Sequence, residues 1–209
     1  MRKAFGLPSD FCKPLMPLIK GHGFAVERHF YSTTDDYINC LFRIPGTLSE
    51  PKATGKPVMI LQHGMAESAH CFLNDMEHSL AFYFARAGFD VWLNNSRGNK
   101  FSKYHKTLDR TVDEEYWNHS LQEMGEFDQP ALFDFVQERT GADKVSYFGH
   151  SQGCGQMFAA LADDCGGLRQ RANLFMMCAP AVRQNYHEHP EPKDNFLFKL
   201  GDNFARYPP

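Results

Sequence analysis

Ser151 stands in the run Gly149-His150-Ser151-Gln152-Gly153, directly after an apolar stretch, Val145 to Phe148, and directly before a helical one, residues 152–163. A serine flanked two residues away on each side by glycine, at a strand-to-helix turn, is set up as a nucleophile. The turn is so tight that side chains at 149 and 153 would strike neighbouring backbone. The serine itself is expected to be strained, with its hydroxyl raised at the carboxyl edge of a sheet. The helix behind it aims its first amides at the place where negative charge would develop. This suits acyl transfer: the hydroxyl adds to a carbonyl, and the oxyanion so formed needs preorganised N–H donors. One donor is the backbone N–H of Gln152. The other is expected from Gln62-His63-Gly64-Met65, which follows a second apolar run, Val58 to Leu61. There Gly64 lets the backbone come close, and the N–H of Met65 is the candidate. Taken singly, the serine could be a turn residue that caps a helix, and His-Gly is a weak signal. The two together, in this order, are a strong one.

These residues need a sheet beneath them. Val58 to Leu61 is a continuous apolar run, the mark of a parallel strand covered on both faces. Residues 79–87 read as a helix with Leu80, Ala81, Phe84 and Ala85 on one side and Gly88 as its stop. Residues 89–93 read as a strand. Residues 129–140 read as a helix with Pro130 in its first turn and a stripe of Ala131, Leu132, Phe135 and Val136. A strand at 145–148, a helix at 152–163 ending near Gly166, and a strand at 174–178 follow. The alternation implies βαβ units and a parallel sheet with right-handed crossovers. Upstream, 24–31 and 37–44 read as an antiparallel hairpin at one edge. Ile38, Cys40, Phe42 and Ile44 alternate onto one face, and residues 32–36 (STTDD) make the turn. Residues 1–22 and 45–57 read as irregular. Residues 94–128 form a connection longer than usual, which marks a functional loop or a missed element. Within it, Ser120-Leu121-Gln122-Glu123 fits a capping box, and Lys100, Lys103, His105 and Lys106 read as a solvated face.

Composition narrows the function classes. At 209 residues, with 43% hydrophobic and 22% charged side chains, the chain is not a disordered one. A net charge of −3 gives no electrostatic case for a nucleic-acid partner or an anionic membrane. The six cysteines (Cys12, Cys40, Cys71, Cys154, Cys165, Cys178) lack metal-type spacing and read as free thiols, Cys154 as a small buried residue. No metal or organic cofactor is expected. Residues 1–20 carry no apolar signal segment, and no run approaches the ~18 residues that span a bilayer. Asn94-Asn95-Ser96 and Asn118-His119-Ser120 match the glycosylation pattern. The first, beside the candidate site, reads as unmodified.

Residues from about 24 to 185 resemble the acid lipase family of α/β-hydrolases. The resemblance rests on Tyr37 to Pro45 (YINCLFRIP), Pro57 to Gly64 (PVMILQHG) with Ser68, Ser79-Leu80-Ala81-Phe82, and Gly88 to Gly98 (GFDVWLNNSRG) with Asn99. Asp128-Gln129-Pro130-Ala131 and GHSQG complete it. It implies an α/β-hydrolase fold, a mostly parallel sheet with an N-terminal antiparallel hairpin. It implies hydrolysis of hydrophobic carboxylic esters, such as triacylglycerols or steryl esters, with contact at a lipid surface. In that reading Ser151 is the nucleophile, Met65 and Gln152 are the oxyanion amides, and Gly149 and Gly153 form the elbow. Asn95, Ser96, Arg97 and Gly98 shape the floor of the site. The fold supplies its acid and then its histidine after the serine, so His63 reads as loop architecture.

Only 58 residues follow Ser151. They hold one clear strand and then a stretch with His187, Glu188, His189 and Glu191 that reads as a solvated loop. Asp163 and Asp164 lie at the far end of the helix, more than ~15 Å from its start by helix rise. The expectation is that the acid and base, the last strands and the cap lie beyond Pro209. Residues 1–209 would then be the N-terminal part of one domain, with a lipase-associated region at about 20–60 and a nucleophile-bearing core at about 57–180. Strand 174–178 would present an unpaired edge. Two alternatives stand beside this: a non-catalytic lipid-binding product, and a short-chain esterase with a local triad.

Overall fold

The computed structural model describes residues 14–52 and 54–181. Its strands are β1 (Glu27–Ser32), β2 (Tyr37–Ile44), β3 (Val58–Gln62), β4 (Asp90–Asn94), β5 (Tyr104–His105), β6 (Val145–His150) and β7 (Ala172–Cys178). The α-helices are α1 (Leu15–Gly21), α2 (Leu80–Arg86), α3 (Leu121–Glu123), α4 (Gln129–Thr140), α5 (Gln152–Ala162) and α6 (Leu168–Arg171). The strands make one sheet in the order β1-β2-β4-β3-β6-β7, with β5 pairing β2. β1, β2 and β4 pair antiparallel in turn, and β4, β3, β6 and β7 run parallel. The hairpin therefore forms one edge of a mostly parallel sheet, as its alternating pattern predicts.

The sheet sorts apolar residues by parity. Met59 and Leu61 of β3 and Val91 and Leu93 of β4 face a layer that contains α1 and α2. Val58 and Ile60 of β3 and Trp92 of β4 face the opposite layer, which contains α4, α5 and α6. Both β3 and β4 are buried along their whole length, which is why residues 58–61 of β3 read as an unbroken apolar run; β4 buries Asp90 and Asn94 at its two ends. Among the described residues β7 is the outer strand on its side, and Leu174 is half exposed there.

Several local expectations need correction. Residues 15–21 form helix α1 and bury Leu15, Leu18 and Ile19. Pro14 sits at its N-cap and Pro17 in its first turn, where a missing N–H costs nothing. Helix α2 buries Phe82 together with Ala81 and Ala85, because Phe82 stacks on Phe24 at 5.1 Å. The α4 stripe centres on Leu132, Phe133 and Val136.

The long connection hides the largest miss. Its capping box at Ser120 forms, and the helix it starts runs from α3 through a π-turn, Met124–Asp128, directly into α4. Pro130 is thus an interior proline, and the widened π-turn accommodates its missing N–H. Gly125 is required on this stretch. A methyl group there would lie 2.7 Å from Ala159 Cβ of α5 and 2.8 Å from the Ala160 nitrogen. Glycine and proline, read locally as helix breakers, here permit close helix packing and a register change.

Candidate active site

Between β3 and β6 the chain order reverses, since β3 leads through α2 to β4 on one side while β6 lies on the other. Crevices for ligands open at such reversals, beyond the carboxyl ends of the strands. Gln62 at the end of β3 pairs with Gly149 near the end of β6. The loop leaving β3 and the elbow leaving β6 are therefore neighbours. A methyl group on Gly64 would come within 3.1 Å of Ser151 Cβ.

The elbow is strained as its spacing predicts. Ser151 has φ 51° and ψ −112°, a conformation that costs a non-glycine residue about 1–3 kcal/mol. Its N–H donates to the Cys178 carbonyl at 2.9 Å, and its own carbonyl accepts from the Cys154 N–H at 3.0 Å. A methyl group on Gly153 would lie 2.6 Å from Gln62 O, and one on Gly149 would lie 3.0 Å from the Cys154 nitrogen. Both glycines are thus demanded by contact with backbone. Cys154 is fully buried, and its thiol donates to Gly149 O at 3.1 Å. Among the described residues neither the Gln152 nor the Met65 N–H has a protein acceptor. Met65 is 60% exposed beside the half-buried serine.

His63 is a buried structural residue. Its Nδ1 donates to Gly64 O at 2.8 Å, and its Nε2 accepts from Ser96 N–H at 3.1 Å. Both ring nitrogens are committed, so it has no free lone pair with which to take a proton from serine. Burial pushes its imidazole down to about 4. An unfolded chain protonates this ring near 6.5 while the folded one stays neutral, so its share of stability is full above pH 6.5 and falls as pH drops toward 4. Urea unfolding is expected to lose about 3 kcal/mol from this group between pH 7 and pH 4. His63→Asn should flatten that slope; an unchanged slope would refute the assignment.

Glu67 and His150 escaped the sequence reading. Glu67 Oε2 accepts from Gly64 N–H at 2.7 Å and lies 3.0 Å from His150 Nδ1. Burial raises the Glu67 carboxyl, but the hydrogen bonds from Gly64 and His150 outweigh it and hold the group below its ordinary value. The pair spans 83 positions in the chain. A histidine inside GHSQG and a glutamate three residues after Gly64 were the only hints.

Beneath the two loops lies a buried polar floor. Ser96 Oγ accepts from Gln62 and from Gln156, each at 2.9 Å. Asn95 Oδ1 accepts from Ala69 N–H and from Asn99, each at 3.0 Å. Arg97, with no exposed side chain, reaches both oxygens of Asp128 and both of Asp35. Burial pushes the Asp128 carboxyl up to about 6 against the pull of Arg97. Asn94 is buried and donates to Gln62, so the first glycosylation pattern is closed to modification, whereas Asn118 is exposed. His105 and Lys106 of the basic cluster bond to the Asp35 carbonyl and the Asp36 carboxylate, in the turn between β1 and β2.

Among the described residues no histidine is hydrogen-bonded to the Ser151 hydroxyl, and no group of three or more His, Cys, Asp and Glu side chains could hold a metal. His187, Glu188, His189 and Glu191 lie outside the described residues. Asp163 and Asp164 follow the far end of α5.

Comparison with known proteins agrees with this geometry. Residues 15–76 match the family model of a partial alpha/beta-hydrolase lipase region. The lysosomal acid lipase/cholesteryl ester hydrolase of Homo sapiens is 40% identical over 191 residues, 90% of this chain and 47% of that protein. Lipase member M of Homo sapiens is 39% identical over 84% of this chain and 42% of its own length. A probable lipase of Schizosaccharomyces pombe is 37% identical over 81% and 38%. The chain thus spans less than half the length of these relatives. In fold it is similar to the carboxylesterase CesB of Bacillus subtilis, at TM-score 0.53 and 14% identity over 79% of this chain and 47% of that one. With the model for the alpha/beta hydrolase fold matching residues 57–208 and acid lipases among its relatives, the chain belongs to the α/β-hydrolase family.

Proposed function

We propose that residues 1–209 are the N-terminal part of a serine ester hydrolase domain that acts on hydrophobic carboxylic esters of the triacylglycerol or steryl ester class. Its lipase-associated region is about 20–60 and its nucleophile-bearing core about 57–180. Ser151 attacks the ester carbonyl. The N–H groups of Met65 and Gln152 take the oxyanion, and Gly149 and Gly153 allow the turn. A histidine and its carboxylate partner, from outside the described residues, accept the serine proton and pass it to the leaving alcohol. Water then releases the fatty acid from the acyl-enzyme. No cofactor enters the scheme.

The observation that carries this reading is the convergence at the sheet's reversal point: a strained serine at a helix N-terminus, abutted by Gly64, with two neighbouring amides lacking acceptors. The exposed Met65 beside the serine suits an apolar substrate and contact with a lipid surface. The test, on the protein that contains this whole chain, is covalent trapping with a fluorophosphonate, followed by peptide mass spectrometry and assay on triacylglycerol and cholesteryl ester emulsions. The expected result is a single adduct on Ser151 that abolishes turnover. A folded protein that takes no adduct and turns over neither ester would overturn the reading in favour of a non-catalytic one.

A further inference from the structure

We propose that Glu67 is a positioning residue for the oxyanion donors: it bridges the Gly64 amide and His150, and so holds the loop that carries the Met65 N–H against the elbow of Ser151. The inference rests on the esterase reading above and adds to it a residue outside the motifs.

The need for such a residue follows from Gly64 itself. Gly64 sits in a tight place, where a methyl group would lie 2.9 Å from Glu67 Oε2, 3.1 Å from His150 Nδ1 and 3.1 Å from Ser151 Cβ and would press on the two side chains that surround the loop. Glycine, however, is the residue least able to hold one backbone conformation. An oxyanion donor is useful only if its direction is set before the reaction, so a flexible glycine next to it must be restrained from outside. Two peptide planes flank Gly64, and each is held by one side chain. The plane that ends in the Gly64 N–H is held by Glu67 Oε2 at 2.7 Å. The plane that begins with the Gly64 carbonyl is held by His63 Nδ1 at 2.8 Å. That second peptide is planar and trans, so its Met65 N–H points opposite to the held carbonyl.

Glu67 can reach back because Ala66 adopts a left-handed conformation, φ 57°, which turns the chain over Gly64. The same Oε2 lies 3.0 Å from His150 Nδ1, on the residue that precedes the elbow serine. The bridge therefore ties the loop after β3 to the turn after β6 through one oxygen. It fixes the distance between the two amides that must act together, Met65 on one loop and Gln152 on the other. His150, on this reading, anchors the loop and takes no proton from serine.

The test compares wild type with Glu67→Ala, Glu67→Gln and Glu67→Met, in the protein that contains this whole chain. Amide hydrogen exchange at Gly64 and Met65 reads the loop directly and does not need catalysis. Steady-state ester turnover reads its consequence. In Glu67→Ala, exchange at Gly64 should quicken at least about tenfold, and kcat should fall about 10- to 100-fold at unchanged KM, part of what a lost oxyanion donor costs. Glu67→Gln keeps an oxygen that accepts from Gly64 N–H and should recover most of both, whereas Glu67→Met fills similar space without that oxygen and should behave like Glu67→Ala; a Glu67→Met that behaves like wild type would mean that the side chain only fills space and would overturn the proposal. Unchanged exchange at Gly64 in a folded Glu67→Ala would overturn the proposal, as would a rise in KM at constant kcat. If wild type shows no Ser151-dependent turnover, the esterase reading fails by itself, and the exchange data alone decide for or against the bridge.

Discussion

Ser151→Ala should lower kcat for ester hydrolysis by about 10,000-fold or more, with the protein still folded, since removing a serine nucleophile disables the whole catalytic unit. The same position offers a second measurement that separates the hydroxyl from the backbone. Ser151 has φ 51° and ψ −112°, and alanine inherits that strain because its Cβ makes the same clash. Glycine has no Cβ and relieves it. Ser151→Gly is expected to be as inactive as Ser151→Ala but more stable, by up to about 2 kcal/mol after glycine's extra chain entropy is deducted. Urea unfolding of the two inactive variants checks this. Equal stabilities would limit the stored strain to the roughly 0.5–1 kcal/mol of glycine's extra entropy, and residual turnover in both would remove Ser151 from the mechanism.

Arg97→Met should be the most destabilising single change outside the elbow. The guanidinium is entirely buried, with Asp128 beside it almost as deep and Asp35 a quarter exposed. It also lies 3.9 Å from the centre of the Tyr37 ring. Removing it leaves two carboxylates facing each other with no cation, which costs about 3–5 kcal/mol, a large part of the ~5–15 kcal/mol that holds a domain together. In a chain of this size the melting point should fall by roughly 6–20 °C. The deficit should also depend on pH. The folded Asp128 carboxyl titrates at about 6, above its usual 3.8, so the share of stability from that group is full below 3.8 and is lost as pH rises through about 6. Without Arg97 that carboxyl is harder still to ionise, so the variant should suffer more at pH 8 than at pH 5. Asp35→Asn, at a partly solvated position, should cost less. An Arg97→Met melting point within 2 °C of wild type, on the scale of ~2–4 °C per kcal/mol, would show that the network contributes little.

Arg97 also shows where sequence reading stops. Its neighbours Asn95 and Ser96 could be placed near the site by resemblance, yet nothing near residue 97 announces partners at 35 and 128. Glu67 and His150 pose the same difficulty: one sits in a loop and the other at the last residue of β6, places where a charged or polar side chain ordinarily faces water. The helix hidden in 94–128 was half legible. Its capping box at Ser120 is legible, but Pro130 reads as the first turn of a separate helix, and nothing in the spacing shows that the two join through a π-turn with Gly125 pressed against α5. Helix α1 is hidden for a similar reason: Pro14 and Pro17 read as breaks, although they fall at the N-cap and first turn, where a helix tolerates them.

What the sequence by itself determined was everything governed by local sterics and period. That includes the elbow glycines, the buried run of β3, the alternating hairpin strand and the alternation of β3, α2, β4, α4, β6, α5 and β7. Each is a constraint between residues a few positions apart, and such constraints leave a spacing that can be read. Only the tertiary structure decided which polar groups meet. The Glu67 bridge, the double commitment of His63 and the Arg97 cluster join loops and elements brought together by the sheet, and hydrogen bonds across such distances impose no period on the chain.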